Sequence, residues 1–329
     1  MAWSQKLIDV TVQLAANSQT NQPNTFAGTA SNSVTLSGSR ISARIQNSGS
    51  AVNQTAQLKI WGMTPSLMNE LSTLGLVYDI VPHNILTIKA GDATSGMPTV
   101  YSGTIWGAYG DYSQQPDVPF VFYCNQAGYE AAAPGTTTSF TSPTSIATIM
   151  SGLAGQMNFG FENNFDGGSA PVLSSAGGGG PTYRGSYWLQ AFQAAKDAGV
   201  QWGIVNGQSG GLVLAIWPNG KSRATPNPAL ISPATGMIDY PAFTQQGIIV
   251  KTLFNPLITF GSLVKVQSSL LTGVLASQQA QNPAFNVPTN STWAVNKLDL
   301  ALDSLVPHGE WASIVNAWNP GYPQPIPAQ

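Results

Sequence analysis

Gly207-Gln208-Ser209-Gly210-Gly211 has the Gly-x-Ser-x-Gly spacing that presents a nucleophilic serine in hydrolases. His83, Asp111 and Ser209 also follow the His, Asp, Ser chain order of one acyl-transfer triad. A nucleophile elbow needs a strand that turns into a helix. Ser209 instead lies between two β-rich runs, Gln201–Val205 and Leu212–Trp217, where the glycines are ordinary hairpin-turn chemistry. His83 sits in a proline-bounded turn. Gly220-Lys221-Ser222 has the ending of a phosphate-binding loop, but the glycine required five residues earlier is Ala215 and no long helix follows. Glu162 and Asp166 could divide acid and base roles in glycoside hydrolysis. Both border a glycine-rich loop, the usual place for solvated carboxylates.

Metal and binding chemistry fare no better. His83 and His308 stand in separate Val-Pro-His turns, and the lone Cys124 has apolar neighbours, which reads as a buried thiol. Trp61, Trp106, Trp188, Trp202, Trp217, Trp293 and Trp311 fall inside patterned strands or helices, which favours core and interface packing over sugar stacking. No catalytic, cofactor-binding or metal-ligating residue is assigned, and the expectation is a protein that is not an enzyme.

The elements that would have to position such residues are mostly strands, and they recur. Thr55–Met63, Leu86–Gly91, Val100–Tyr112 and Pro119–Gln126 follow one another as apolar or alternating runs. Gly247–Asn255, Leu263–Ser268, Thr292–Leu302 and Glu310–Trp318 follow in the same order. Two similar β domains are expected, about 1–130 and 236–320. Leu7–Leu14 and Ser33–Ile45 add strands to the first, with Ala15–Asn32 as a polar arm. Thr64-Pro65 opens a short helix, ending at Gly75, that the second set lacks.

The intervening segment, about 140–235, reads as a small α+β module. Ser142-Pro143 starts one helix, with Ile146, Ile149, Met150, Leu153 and Met157 at helical spacing. Ser186–Ala198 forms a second that stops at Gly199, and the hairpin around Gly207–Gly211 completes it. Residues 321–329 are expected to be an extended tail.

Composition limits the function classes. Charged residues make up 8% of the 329, against roughly 25% in ordinary soluble proteins. Net charge is −2, and no basic patch suited to phosphate contacts is visible. One cysteine excludes an internal disulfide framework, MAWSQKLID has no apolar signal core, and no run approaches a membrane span. So thinly charged a globular chain points to a subunit whose surface is covered by neighbours.

Val34–Arg44, Thr55–Gly75, Leu86–Thr104, Ile231–Pro241 and Gly247–Gly261 together resemble baseplate hub proteins of contractile-tailed bacteriophages, the late control D and T4-type central hub group. The shared features are an Ile-x-Gly-Met strand end before a short helix, a strand closing on Ala-Gly, a Thr-Gly-hydrophobic-x-x-Pro turn and an Asn-Pro-x-hydrophobic-x-x-Gly turn. They span the chain apart from its tail. The resemblance implies a mainly β fold in which two tail-tube-like β-barrel domains flank the helix–helix–hairpin module. It further implies a homotrimer on the tail axis of the virion, assembled in the host cytoplasm. Its partners would be the tail tube or tube initiator above, the central spike below and neighbouring baseplate subunits. DNA would pass without specific binding, and no membrane insertion is implied. A hub-associated cell-wall hydrolase and a carbohydrate-binding adhesin are the alternatives.

Overall fold

The computed structural model describes residues 5–16, 24–27, 30–49, 53–72, 83–94, 96–166, 170–207, 210–244, 247–268 and 290–320. Ser209, Gly75, the tail at 321–329 and half of the expected polar arm lie outside them. The first third contains β1 (Leu7–Gln13), β2 (Ser33–Leu36), β3 (Ile41–Asn47), β4 (Thr55–Ile60), α1 (Pro65–Leu71), β5 (Ile85–Gly91), β6 (Thr99–Gly110) and β7 (Phe120–Asn125). The middle contains α2 (Gly128–Ala132), β8 (Thr138–Ser139), β9 (Thr144–Ser145), α3 (Ile146–Gln156), β10 (Gly160–Asn163), β11 (Val172–Leu173), β12 (Thr182–Tyr183), α4 (Tyr187–Ala198), β13 (Val200–Asn206) and β14 (Leu212–Pro218). The last third adds β15 (Ala229–Ile231), β16 (Ala242–Thr244), β17 (Gly247–Leu253), β18 (Leu263–Gln267), β19 (Asn290–Ser304) and β20 (Trp311–Trp318).

The two outer thirds repeat one strand order. β4-β7-β6-β5 are neighbours in the first and β17-β20-β19-β18 in the second, all antiparallel. Each copy has a β-bulge at the same place: Trp106 between Ile105 and Gly107, and Asn296 between Val295 and Lys297. The amides just before the bulges bond alike, Ile105 N to Asn84 O and Val295 N to Ser262 O, both at 2.9 Å. A bulge breaks the two-residue period, so a matched pair ties the copies to one register. Leu58 and Val250, Phe122 and Val315, and Ile105 and Val295 are corresponding buried pairs. Helix α1, capped by Thr64 with Pro65 at its start, lies between β4 and β5, whereas residues 254–262 between β17 and β18 hold turns alone. One difference is that β1 runs antiparallel to β5 while β15 runs parallel to β18.

The copies are not closed barrels. β3 pairs with β4 on one edge and with β19 on the other, so the edge that would have to close the first barrel is spent on the second unit. The result is one 13-stranded sheet ordered β16-β17-β20-β19-β3-β4-β7-β6-β5-β1-β2, with β15 and β18 branching from β19. Alternation in β3 turns Ile41, Ala43 and Ile45 inward, and they join a single hydrophobic core that also holds Val250, Leu300 and Val315. On the outer face Arg44 forks onto Asp303 of β19 at 2.9 and 3.2 Å. Ser304 Oγ accepts from the Ile41 amide at 3.1 Å. Burial alone would push the Asp303 carboxyl up; bonds from Arg44, Ser42 and the Glu310 amide outweigh it and hold the group below its ordinary value.

In the middle, β10-β14-β13 form a separate sheet. Ile149, Met150 and Leu153 of α3 and Ala191, Phe192 and Ala195 of α4 form a core with Trp202, Leu214 and Ile216 of that sheet. Val205, Ala215 and Trp217 of the same sheet cluster instead with Phe260 of the second β unit. Gly203 permits the approach: a Cβ there would stand 2.5 Å from the Phe260 ring. Trp188 Nε1 ties α4 to the first unit by donating to Asn53 Oδ1 at 2.7 Å. Helix α3 is capped by Ser145, not Ser142, because Thr144 and Ser145 are held extended against β11. The one-turn helix α2 and the short pairs β9–β11 and β8–β12 are additions that hydropathy periodicity is too coarse to signal.

Two outcomes test these contacts. Gly203→Ala should destabilise by about 1–3 kcal/mol through overpacking, and Phe260→Leu in the same chain should restore part of the loss in urea unfolding. Asp303→Asn should cost about 1 kcal/mol at neutral pH, discounted for partial exposure. Because the folded carboxyl is depressed, its contribution is present above the ordinary carboxyl value of about 4 and disappears as pH falls through the lower folded value. The stability difference between wild type and Asp303→Asn, followed by unfolding across pH, should shrink in acid.

Candidate functional site

The residues whose types suggested chemistry are spread over separate neighbourhoods. Glu162 closes β10 and receives Arg223 Nη2 at 2.6 Å, Arg223 Nε at 3.0 Å and Asn164 Nδ2 at 2.9 Å. Burial raises its pKa, and the Arg223 and Asn164 hydrogen bonds more than offset that, leaving it lowered. A general acid for glycoside cleavage needs the opposite shift. Arg223 also donates from Nη1 to Phe260 O at 3.1 Å, so this ion pair fastens the module to the second β unit. Asp166 is exposed.

His83 precedes β5, stacks on Tyr129 at 4.3 Å with 9° between rings, and points Nε2 at Glu130 Oε1 3.3 Å away. Asp111 follows β6 and accepts from the Ser113 amide and hydroxyl and from Gln114 Nε2. Each is thus committed to its own surroundings, and no hydrogen bond joins them among the described residues. The described ends of the serine loop, Gly207 and Gly211, close a hairpin with Gly207 N donating to Gly211 O at 2.7 Å. Lys221 donates its amide to Pro218 O in a turn after β14, with no helix behind it. Cys124 is buried against the core, and burial pushes its thiol pKa well up. His308 lies in the turn between β19 and β20 with φ of 58°. No group of three or more His, Cys, Asp or Glu is placed to hold a metal among the described residues. Trp202, Trp217 and Trp293 are buried.

What the fold does assemble is a surface. The outer face of the joint sheet runs without a break from β17 through β20, β19, β3, β4 and β7 to β6. Ile249, Lys251, Lys297, Asp299, Asp303, Arg44, Gln57, Lys59, Tyr123 and Tyr109 alternate along it, none of them buried. Three ion pairs lie on it: Lys251 meets Glu310 at 3.1 Å, Lys297 meets Asp299 at 3.3 Å and Arg44 meets Asp303. Tyr109 and Tyr123 stack at 6.2 Å and are 47% and 41% exposed. A hollow of about 390 Å³ sits where β3, β4, β6 and β7 meet, lined by Arg44, Gln57, Trp106 and Tyr123. Strand alternation puts these residues on one face, but it carries no mark of the shared ladder or of the two matched bulges.

Comparison with known proteins matches this architecture. The sequence model of the baseplate hub gp41 family fits residues 8–299. No curated protein matches the sequence. A tail protein from Neisseria meningitidis MC58 superposes with a TM-score of 0.55 at 9% identity, over 96% of this chain and 99% of that one. The 43 kDa tail protein of prophage MuSo2 from Shewanella oneidensis gives 0.52 at 9% identity, over 97% of both chains. The E. coli c3393 protein, a type VI secretion component described as similar to the T4 tail proteins gp27 and gp5, gives 0.53 at 10% identity over 88% of this chain and 78% of its own. At such identities the likeness is one of fold alone. The family match covers most of the chain, and the chain belongs to the baseplate hub gp41 family, structural proteins of the phage tail.

Proposed function

We propose that this protein is a homotrimeric hub that joins a sixfold tail tube to a threefold spike and lines the channel through which DNA passes. The observation that carries the proposal is the internal repeat, with the same strand order and the same bulge in both copies, fused through one sheet. Three such chains present six near-equivalent units, related by rotations of about 60° in a closed ring. Residues 1–130 and 236–320 are the repeated units in this reading, 140–235 the module between them and 321–329 the tail. The paired, nearly neutral outer face suits a wall that DNA slides past, since it offers few unneutralised cations to phosphate. The role is structural, without an active site.

Image reconstruction of the particle should find three copies of the chain around the tail axis, and six copies would refute the reading. Catalytic silence is the second expectation. His83→Ala, Ser209→Ala and Glu162→Gln should leave any wall-degrading activity of the particle intact, although Glu162→Gln weakens the Arg223 contact. A loss beyond about tenfold, roughly 1.4 kcal/mol of transition-state stabilisation, in a normally assembled particle would contradict it.

A further inference from the structure

We infer that the helix–helix–hairpin module is a clamp that sets the angle at which the two β units meet. The clamp acts within one chain; only its consequence for assembly rests on the ring reading above.

The β3–β19 ladder is secured unevenly along its length. It runs from Ile41 opposite Ser304 to Asn47 opposite Leu298. At the Ile41 end side chains cross it. Arg44 forks onto Asp303, the Ile41 amide donates to Ser304 Oγ at 3.1 Å, and that hydroxyl also donates to Ser39 O at 3.3 Å. At the Asn47 end, no side-chain hydrogen bond passes from Gln46 or Asn47 to β19 among the described residues. Asn47 Oδ1 accepts instead from the Gly49 amide of its own turn, at 3.1 Å. Just beyond, β19 is bulged at Asn296. Neighbouring strands twist relative to one another by anything from about −10 to −35°, and a bulge increases the local twist. A seam pinned by side chains at one end alone leaves the angle between the units open.

The module stands at the unsecured end. A Cβ on Gly49 would lie 2.6 Å from Asn296 O and 3.4 Å from Cε2 of Phe260. The other edge of that ring, Cε1 and Cδ1, would lie 2.5 and 2.8 Å from a Cβ on Gly203 of β13. Phe260 is thus wedged between the exit of β3 and the module's sheet. From there the module grips each unit separately. On the second unit, the Arg223 amide donates to Gly261 O at 2.8 Å, Arg223 Nη1 donates to Phe260 O at 3.1 Å, and Thr225 Oγ1 accepts from the Leu263 amide at 3.0 Å. On the first unit, Trp188 Nε1 donates to Asn53 Oδ1, between β3 and β4, and the Tyr129 amide of α2 donates to Thr104 Oγ1 of β6 at 3.2 Å. The module has a core of its own, apart from the core the two units share. A body with its own core, tied to both units beside the loose end of their ladder, supplies the third point that an angle needs. Chains that each deliver a fixed angle are suited to closing a ring.

Spin labels read this angle. Tyr112→Cys in the first unit and Leu253→Cys in the second replace exposed side chains, while buried Cys124 stays unlabelled. Electron–electron double resonance on the full chain, diluted with excess unlabelled chain so that only distances within one chain count, should give a single narrow distribution. Adding Phe260→Ala should widen it about twofold as the seam is released into the ordinary range of strand twist, with far-UV circular dichroism unchanged. Trp188→Phe retains an aromatic ring against Phe192 and removes the bond to Asn53. It should widen the distribution to a lesser degree, and it carries the test if Phe260→Ala does not fold. An unchanged width in folded Phe260→Ala, or in Trp188→Phe where Phe260→Ala does not fold, overturns the clamp. Particles containing no trimer of the wild-type chain overturn the ring reading and leave the clamp, measured within one chain, standing.

Discussion

The architecture depends on one ladder, the antiparallel pairing of β3 with β19. A strand carries hydrogen-bonding groups on both edges, and a buried group left without a partner costs more than a made bond returns. β3 satisfies one edge with its own unit and the other with the second unit. Everything larger follows from that. The two repeats cannot rotate freely about a linker, their inward faces merge into one core, and their outward faces become one surface. Arg44 on Asp303 and Ser304 on Ile41 add side-chain bonds across the same seam.

The module between the repeats reinforces the seam from one side. Its sheet is amphipathic in an unusual sense, with helices packed on one face and a neighbouring β unit on the other. Gly203 has no Cβ, so the Phe260 ring can approach the strand closely, and Trp217 meets the same ring edge-on at 5.7 Å. Arg223 then bridges Glu162 of the module and the Phe260 carbonyl. Charge in this protein is sparse, and where it occurs inside contacts it fastens one part of the chain to another. That use is different from catalysis, in which a charge must be held apart from its partner until substrate arrives.

Much of this was legible in the residues. The order of the repeated strands follows from alternation, α4 from Ser186 and Gly199 at its ends, and the hairpin from the glycines beside Ser209. Closed barrels were expected and an open, shared sheet was found, for a definite reason. Alternation in Ile41–Asn47 fixes which side chains face inward and is identical whichever strand lies alongside. The bulges at Trp106 and Asn296 have no common residue type, so no composition marks them. The Arg223–Glu162 pair joins positions 61 apart with no periodic signal between them. His83, Asp111 and Glu162 are each held by neighbouring groups, and Cys124 is buried.

The β3–β19 ladder also bears on how the chain acquires its shape. Ile41 and Ser304 meet across 263 residues of sequence. β3 therefore leaves the ribosome long before its partner exists. Pairings of such separation close large loops and form slowly, and until they form the first unit carries an unpaired strand edge. Synthesis order thus makes the nascent amino-terminal half the vulnerable species.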